Sequence, residues 1–324
     1  MCTAISYQTA DHYFGRNLDL EYSYQEAVTV TPRKYPFRFR EENALPSHFA
    51  MIGMATISDG YPLYYEATNE KGLSAAGLNF PGIAVYLPKA EGKHNVAPFE
   101  LIPWLLGQCE SVAQAKALLV NTNILNTPFS KQFPLSPLHW LISDAKESIT
   151  VEPMANGLKI YDNPVGVLTN NPPFDYHMYH LADYMNLTKN PPENRFTDKI
   201  ELKPYSLGIG SMGLPGDLSS ASRFIKAAFT KLNSLCGTSE SESISQFFHI
   251  LGSVAQQKGL VRVRDDKYEF TLYTSCCNTT RGIYYYTTYE NSQITGIQMH
   301  HEDLEGSGLI SYPLVTGQQI RMEN

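Results

Sequence analysis

Met1-Cys2-Thr3-Ala4-Ile5-Ser6-Tyr7-Gln8-Thr9-Ala10-Asp11-His12-Tyr13-Phe14-Gly15-Arg16-Asn17-Leu18-Asp19 opens the chain. Thr3–Ser6 and His12–Arg16 read as two short strands joined by the polar connection Gln8-Thr9-Ala10-Asp11, a hairpin that starts at the terminus and holds Cys2 in a sheet. The small side chain of Cys2 makes removal of Met1 the expectation. The thiol would then stand beside a free α-amine. An α-amine titrates near ~7.7–8.0 and a thiol near ~8.5, so the neutral amine can take the thiol proton as sulfur attacks a carbonyl. No catalytic histidine is required. Taken by itself, Cys2 reads more simply as a small apolar residue that follows the start, so the rest of the chain has to decide.

Working outward, Met51–Ile57, Leu63–Thr68 and Leu73–Leu78 are strand candidates separated by two turn signals, Ser58-Asp59-Gly60 and Asn69-Glu70-Lys71-Gly72. This is a meander, hence antiparallel. Phe99–Leu106 and Val112–Val120 carry apolar residues at helical spacing, and Leu138–Ser143, Ser148–Pro153, Leu158–Tyr161 and Val165–Leu168 return to strand. Helical character resumes after Pro173. Ala221–Leu235, with Asp217 and Ser219 as cap candidates, and Ile244–Gln256 predict two amphipathic helices, and Tyr268–Ser275 with Gly282–Thr288 predict closing strands. Strand runs alternating with helix pairs predict an α+β fold with antiparallel sheets. No linker divides it, which predicts a single domain over residues 1–324.

The 324 residues are 43% apolar and 18% charged, ordinary for a globular protein, and the 21 tyrosines suit strands and semi-polar pockets. The net charge of −7 argues against nucleic acid as a partner; Arg33, Lys34, Arg38 and Arg40 read as a solvated segment. With no apolar run long enough to span a bilayer and no signal-peptide pattern, the expectation is a cytoplasmic protein without a membrane. Cys2, Cys109, Cys236, Cys276 and Cys277 are odd in number and irregular in spacing, which predicts no disulfide framework. Adjacent in a strand, Cys276 and Cys277 predict one core thiol and one facing elsewhere.

A nucleophile needs company. If the hairpin returns through Phe14–Asp19, Arg16 can lower the thiol pKa and Asp19 can orient the amine, although a surface ion pair is the alternative. Asn79, at the end of a strand before Phe80-Pro81-Gly82, and Asn170 or Asn171, in Leu168-Thr169-Asn170-Asn171-Pro172, can face a cleft as oxyanion donors or serve only as turn residues. Arg223 falls in the first turn of a predicted helix, where a cation opposes the dipole; a surface role fits it equally. Gly208-Ile209-Gly210-Ser211-Met212-Gly213 satisfies a dinucleotide-binding string, but Leu214-Pro215-Gly216 intervenes before the helix and no βαβ unit surrounds it. His177 and His180 lack the neighbours of a metal site and read as a helix face, and His300 and His301 read as surface. No cofactor or metal is expected.

Together, Met1-Cys2-Thr3, Phe14-Gly15-Arg16-Asn17-Leu18-Asp19, Gly77-Leu78-Asn79-Phe80-Pro81, Leu168-Thr169-Asn170-Asn171-Pro172 and Ser220-Ala221-Ser222-Arg223-Phe224 resemble the choloylglycine hydrolase family, within it the bacterial bile salt hydrolases. The resemblance extends to Cys276-Cys277-Asn278-Thr279-Thr280-Arg281-Gly282. It implies Cys2 as nucleophile, Arg16 and Asp19 as its activating neighbours, Asn79 and Asn170 at the oxyanion hole, and Arg223 supporting charge. It also implies a four-layer αββα N-terminal-nucleophile hydrolase fold with two stacked antiparallel sheets, and commonly a homotetramer. The activity it implies is cleavage of glycine- and taurine-conjugated bile acids through a Cys2 thioester. Penicillin V acylase and acyl-homoserine lactone acylase share that chemistry and are the near alternatives; a non-catalytic bile acid or lipid carrier is the alternative of another class.

Overall fold

A computed structural model describes residues 1–324 and contains two large antiparallel sheets. The opening hairpin pairs Cys2–Gln8 with His12–Leu20, and Lys267–Asn278 lies on the other side of the second strand. Val167–Leu168 edges the first strand, while Ile283–Thr288 and Asn291–Gln298 continue beyond Lys267–Asn278; with Val261–Arg264 they complete seven strands. The second sheet has eight strands and is built around the expected meander, observed as Met51–Ser58, Tyr61–Asn69 and Ser74–Asn79.

The strands of the opening hairpin are buried on both faces, which is why their sequence lacks clean alternation. One face meets the second sheet: Ala4, Phe14, Met54, Ala76 and Leu141 share a core with Phe224 and Phe247 from the helices Ser220–Asn233 and Glu240–Gly252. A separate core packs Leu101–Leu106 and Val112–Leu119 onto the outer face of the second sheet through Trp104, Ala67, Leu73 and Ile142. The layers therefore run helix, sheet, sheet, helix. No helix is long and apolar enough to cross a membrane.

Differences from the sequence reading have local causes. The last long helix starts at Glu240 rather than Ile244 because Ser239 and Glu242 form a reciprocal capping box. Cys276 and Cys277 are both buried, since Lys267–Asn278 is covered on both faces there. The strands Ala27–Thr31 and Ile310–Pro313, which pair with each other, lie outside the expected set: each is short and they meet across most of the chain. The short pair His94–Val96 and Thr122–Ile124 is parallel, an exception to the antiparallel expectation.

Candidate active site

Cys2 is the first residue of a central strand and is 2% exposed, at one end of a cleft that also touches Arg16, Gly77 and Asn79. The hairpin register sets Cys2 opposite Leu18, which brings Arg16 and Asp19 to the same end of the sheet. The Met1 amine donates to the Asp19 carbonyl at 2.9 Å and to Glu269 Oε1 at 2.6 Å. Asp19 Oδ1 accepts from Thr271 Oγ1 at 2.6 Å, and its buried Oδ2 has no partner. Burial raises the Asp19 carboxyl above its ordinary value against the pull of Arg223, the terminal amine, Thr271 and Arg16.

Arg16 is fully buried. Its Nη1 donates to the carbonyls of Tyr65 and Gly77, and its Nε lies 3.9 Å from Glu66 Oε2. Burial opposes its charge, yet Cys2, Tyr273 and Glu66 together push its pKa up, so the guanidinium stays cationic beside the thiol. Glu66 in turn accepts from Tyr273 Oη at 2.8 Å, Ser275 Oγ at 2.9 Å and Tyr284 Oη at 2.5 Å. Sequence reasoning missed this carboxylate. Its one signal was a lone acid in the otherwise uncharged strand Tyr61–Asn69.

Asn170 joins the two sides of the site. Its Oδ1 accepts from the Cys2 nitrogen at 2.8 Å and from Arg223 Nη2 at 2.8 Å, while its Nδ2 donates to the Asn79 carbonyl at 2.7 Å and keeps a second hydrogen. Asn171 points elsewhere, donating to the Pro81 carbonyl. Arg223 stands in the first turn of its helix, capped by Ser219, and reaches back to the Cys2 carbonyl and Thr3 Oγ1. Burial lowers its pKa, against Asp19, Cys2 and Glu269. The helix N-terminus that disfavours a cation is outweighed by these direct acceptors. All six expected residues are thus brought to one place, whereas His300 and His301 are exposed and the glycine string 208–213 forms a short 3-10 turn over Ile209–Ser211 rather than a strand-to-helix loop. His177 lies on the inward face of the helix Phe174–His180 and is buried, with Nε2 donating to the Asn170 carbonyl at 3.0 Å.

The cleft beyond Cys2 is mostly apolar: 14 of its 24 lining residues are hydrophobic, among them Leu18, Leu20, Tyr24, Phe129 and Phe133. Such a cleft takes a ligand with a bulky apolar body and presents its polar end to Cys2. The segment 127–136 forms its outer wall and is tied back by Arg40 donating to the Phe129 carbonyl and Tyr86 to the Ser136 carbonyl. Arg40 is therefore not a merely solvated charge. No group of three or more His, Cys, Asp or Glu side chains is placed to hold a metal ion.

An αββα sandwich with a cysteine heading an inner strand defines an N-terminal-nucleophile hydrolase. Residues 2–312 match the family of linear amide C–N hydrolases known as the choloylglycine hydrolase family, and the chain belongs to it. It is 58% identical over 314 residues to a bile salt hydrolase/transferase of Lactiplantibacillus plantarum, covering 97% of each chain. Identity is 41% over 318 residues to a bile salt hydrolase/transferase of Clostridium perfringens, covering 96% of each. The crystal structure of a variant of conjugated bile acid hydrolase from Clostridium perfringens superposes with a TM-score of 0.92 at 38% identity over the whole of both chains. Penicillin V acylase from Agrobacterium tumefaciens shares the fold, with a TM-score of 0.75 at 20% identity over 97% of this chain and 92% of that one.

Proposed function

We propose that this protein is a bile salt hydrolase that cleaves glycine- and taurine-conjugated bile acids after losing Met1. The observation that carries the chemistry is the convergence of Arg16, Asp19, Asn79, Asn170 and Arg223 on Cys2; the substrate follows from the apolar cleft and from relatives of that name at 58% and 41% identity. In the mature enzyme the Cys2 nitrogen is an amine held by Asn170 Oδ1, and Asp19, whose buried Oδ2 is vacant, is the carboxylate proposed to orient it. The amine takes the thiol proton, sulfur attacks the amide carbonyl, and the developing oxyanion is met by the Asn79 side chain and the free Asn170 Nδ2 hydrogen. The C–N bond breaks as the protonated amine returns its hydrogen to the leaving nitrogen. Water, deprotonated by the same amine, then opens the thioester and releases the free bile acid.

The working form proposed is a single domain assembled as a homotetramer in the cytoplasm, where five unpaired cysteines stay reduced. Exposed Met185, Phe196, Tyr205, Leu207 and Met212 supply apolar surface for subunit contact. The test is release of glycine or taurine from glycocholate and taurocholate, with penicillin V as comparison, by wild type and Cys2→Ala. The expectation is loss of turnover in the variant on the order of 10⁶-fold. Faster turnover of penicillin V than of either conjugate would move the protein to the penicillin V acylases, and no turnover by enzyme whose mass confirms loss of Met1 would favour a carrier.

A further inference from the structure

One buried side chain touches the neighbours of both oxyanion asparagines. His139, on the strand Leu138–Ser143, is wholly buried. Its Nε2 lies 2.9 Å from the Thr169 carbonyl oxygen, which can only accept, so this nitrogen carries a hydrogen and donates it. Its Nδ1 lies 3.0 Å from Oε1 of Glu152, a carboxylate that is also wholly buried. The ring face stacks on Phe80 with centroids 4.3 Å apart and planes inclined by 8°. Thr169 immediately precedes Asn170 and Phe80 immediately follows Asn79.

We propose that His139, oriented by Glu152, is a positioning residue that holds Asn79 and Asn170 at one fixed separation for the oxyanion, an inference that rests on the oxyanion role given to those two residues above. The physical case is economy of constraint. Asn79 ends a strand whose ladder pairs it with Leu138, the neighbour of His139, and Asn170 sits in the segment after another strand, tied on its other sides by Ser220, His177, Arg223 and the Cys2 nitrogen. Their direct link is the 2.7 Å bond from Asn170 Nδ2 to the Asn79 carbonyl. His139 alone adds a tie that spans both segments from the far side: the imidazole bonds one segment in its plane and packs the other on its face. Glu152 fixes the ring and is itself held, because Oε1 and Oε2 also face the Phe174 amide at 3.1 and 3.3 Å. Donors held where charge develops need no reorganisation during reaction, which is where such a brace acts.

The experiment is a double-mutant cycle on the mature enzyme with glycocholate, comparing wild type, His139→Gln, Asn170→Ala and the double variant. A small misplacement of reacting groups is worth roughly 10–100-fold, so His139→Gln is expected to lower kcat by that factor with KM within about twofold. Alkylation of Cys2 by iodoacetamide should proceed at the wild-type rate, because His139 bonds Thr169 and Glu152 and stacks on Phe80, touching neither the thiol nor Arg16. In the Asn170→Ala background the same substitution should remove much less. Phe80→Leu, which deletes the stack and leaves the buried pair intact, gives the same kcat-only signature at smaller size if His139→Gln does not fold. An unchanged kcat in folded His139→Gln or in Phe80→Leu, parallel loss of alkylation, or fully additive losses overturns the proposal. Asn170→Ala at the wild-type rate overturns the oxyanion reading and this inference with it; a slow Asn170→Ala beside an unaffected His139→Gln overturns this inference alone.

Discussion

Cys2 sits between two walls built on different principles. On one side stand Arg16, Glu66, Asp19, Asn170 and Arg223, charged or amide groups that are all nearly or wholly buried, each bonded to partners from distant segments. On the other is the segment 127–136 with Phe129 and Phe133, half-exposed rings resting on Tyr24 and on each other. Burying charge without water is tolerable only when it is paired, so the first wall, apart from the vacant Asp19 Oδ2, is cross-braced and intolerant of change. The apolar wall needs only shape and dry surface. On the function proposed above, chemistry falls to the rigid wall and choice of substrate to the one that can be rebuilt.

Cutting the brace should have the largest effect. Glu66→Gln leaves the Arg16 guanidinium buried without its counter-charge and is expected to cost roughly 3–5 kcal/mol of stability, measured by urea unfolding. A change below about 1 kcal/mol would show that the three hydroxyls alone hold Arg16's surroundings in order. Asn170→Ala, at the joint of the polar wall, is expected to cut kcat by about 10²–10³, or ~2.7–4 kcal/mol of barrier. A rate equal to wild type would remove Asn170 from the oxyanion site.

Acid should destabilise the fold through two buried histidines outside the walls, His12 near the hairpin turn and His177 behind Asn170. Burial pushes His12 and His177 down to about 4 from 6.5. Above pH 6.5 both states are neutral at these positions and the fold keeps its full stability. As pH falls from 6.5 towards 4 the unfolded chain binds protons that the native state refuses, so each histidine removes up to about 3 kcal/mol. Tm should therefore drop steeply over that window, and His177→Gln should flatten the slope; an unaltered slope would assign the acid lability elsewhere. The smallest effect belongs to the apolar wall. Phe133→Ala should raise KM for glycocholate about fivefold, near 1 kcal/mol, with kcat unchanged. A fall in kcat instead would mean that the two walls are coupled.

The sequence by itself settled what short-range physics controls. Strand periodicity and turn residues gave the meander Met51–Asn79 to within two residues at each boundary, and the hairpin that carries Cys2, Arg16 and Asp19 was readable because both strands lie within the first twenty residues. Named motifs then brought Asn79, Asn170 and Arg223 into the same family pattern. Only the tertiary structure could decide which groups support them. Ser275 and Tyr284 stand 209 and 218 residues from the Glu66 they bond, and Glu269 is 268 residues from the amine it meets. No local pattern encodes such neighbours, because they are chosen by which strands pair and which sheet faces stack, and those choices are made by the burial of the whole core. The same reason explains Cys276 and Cys277: alternation assigns two faces, but only a second layer makes both of them interior.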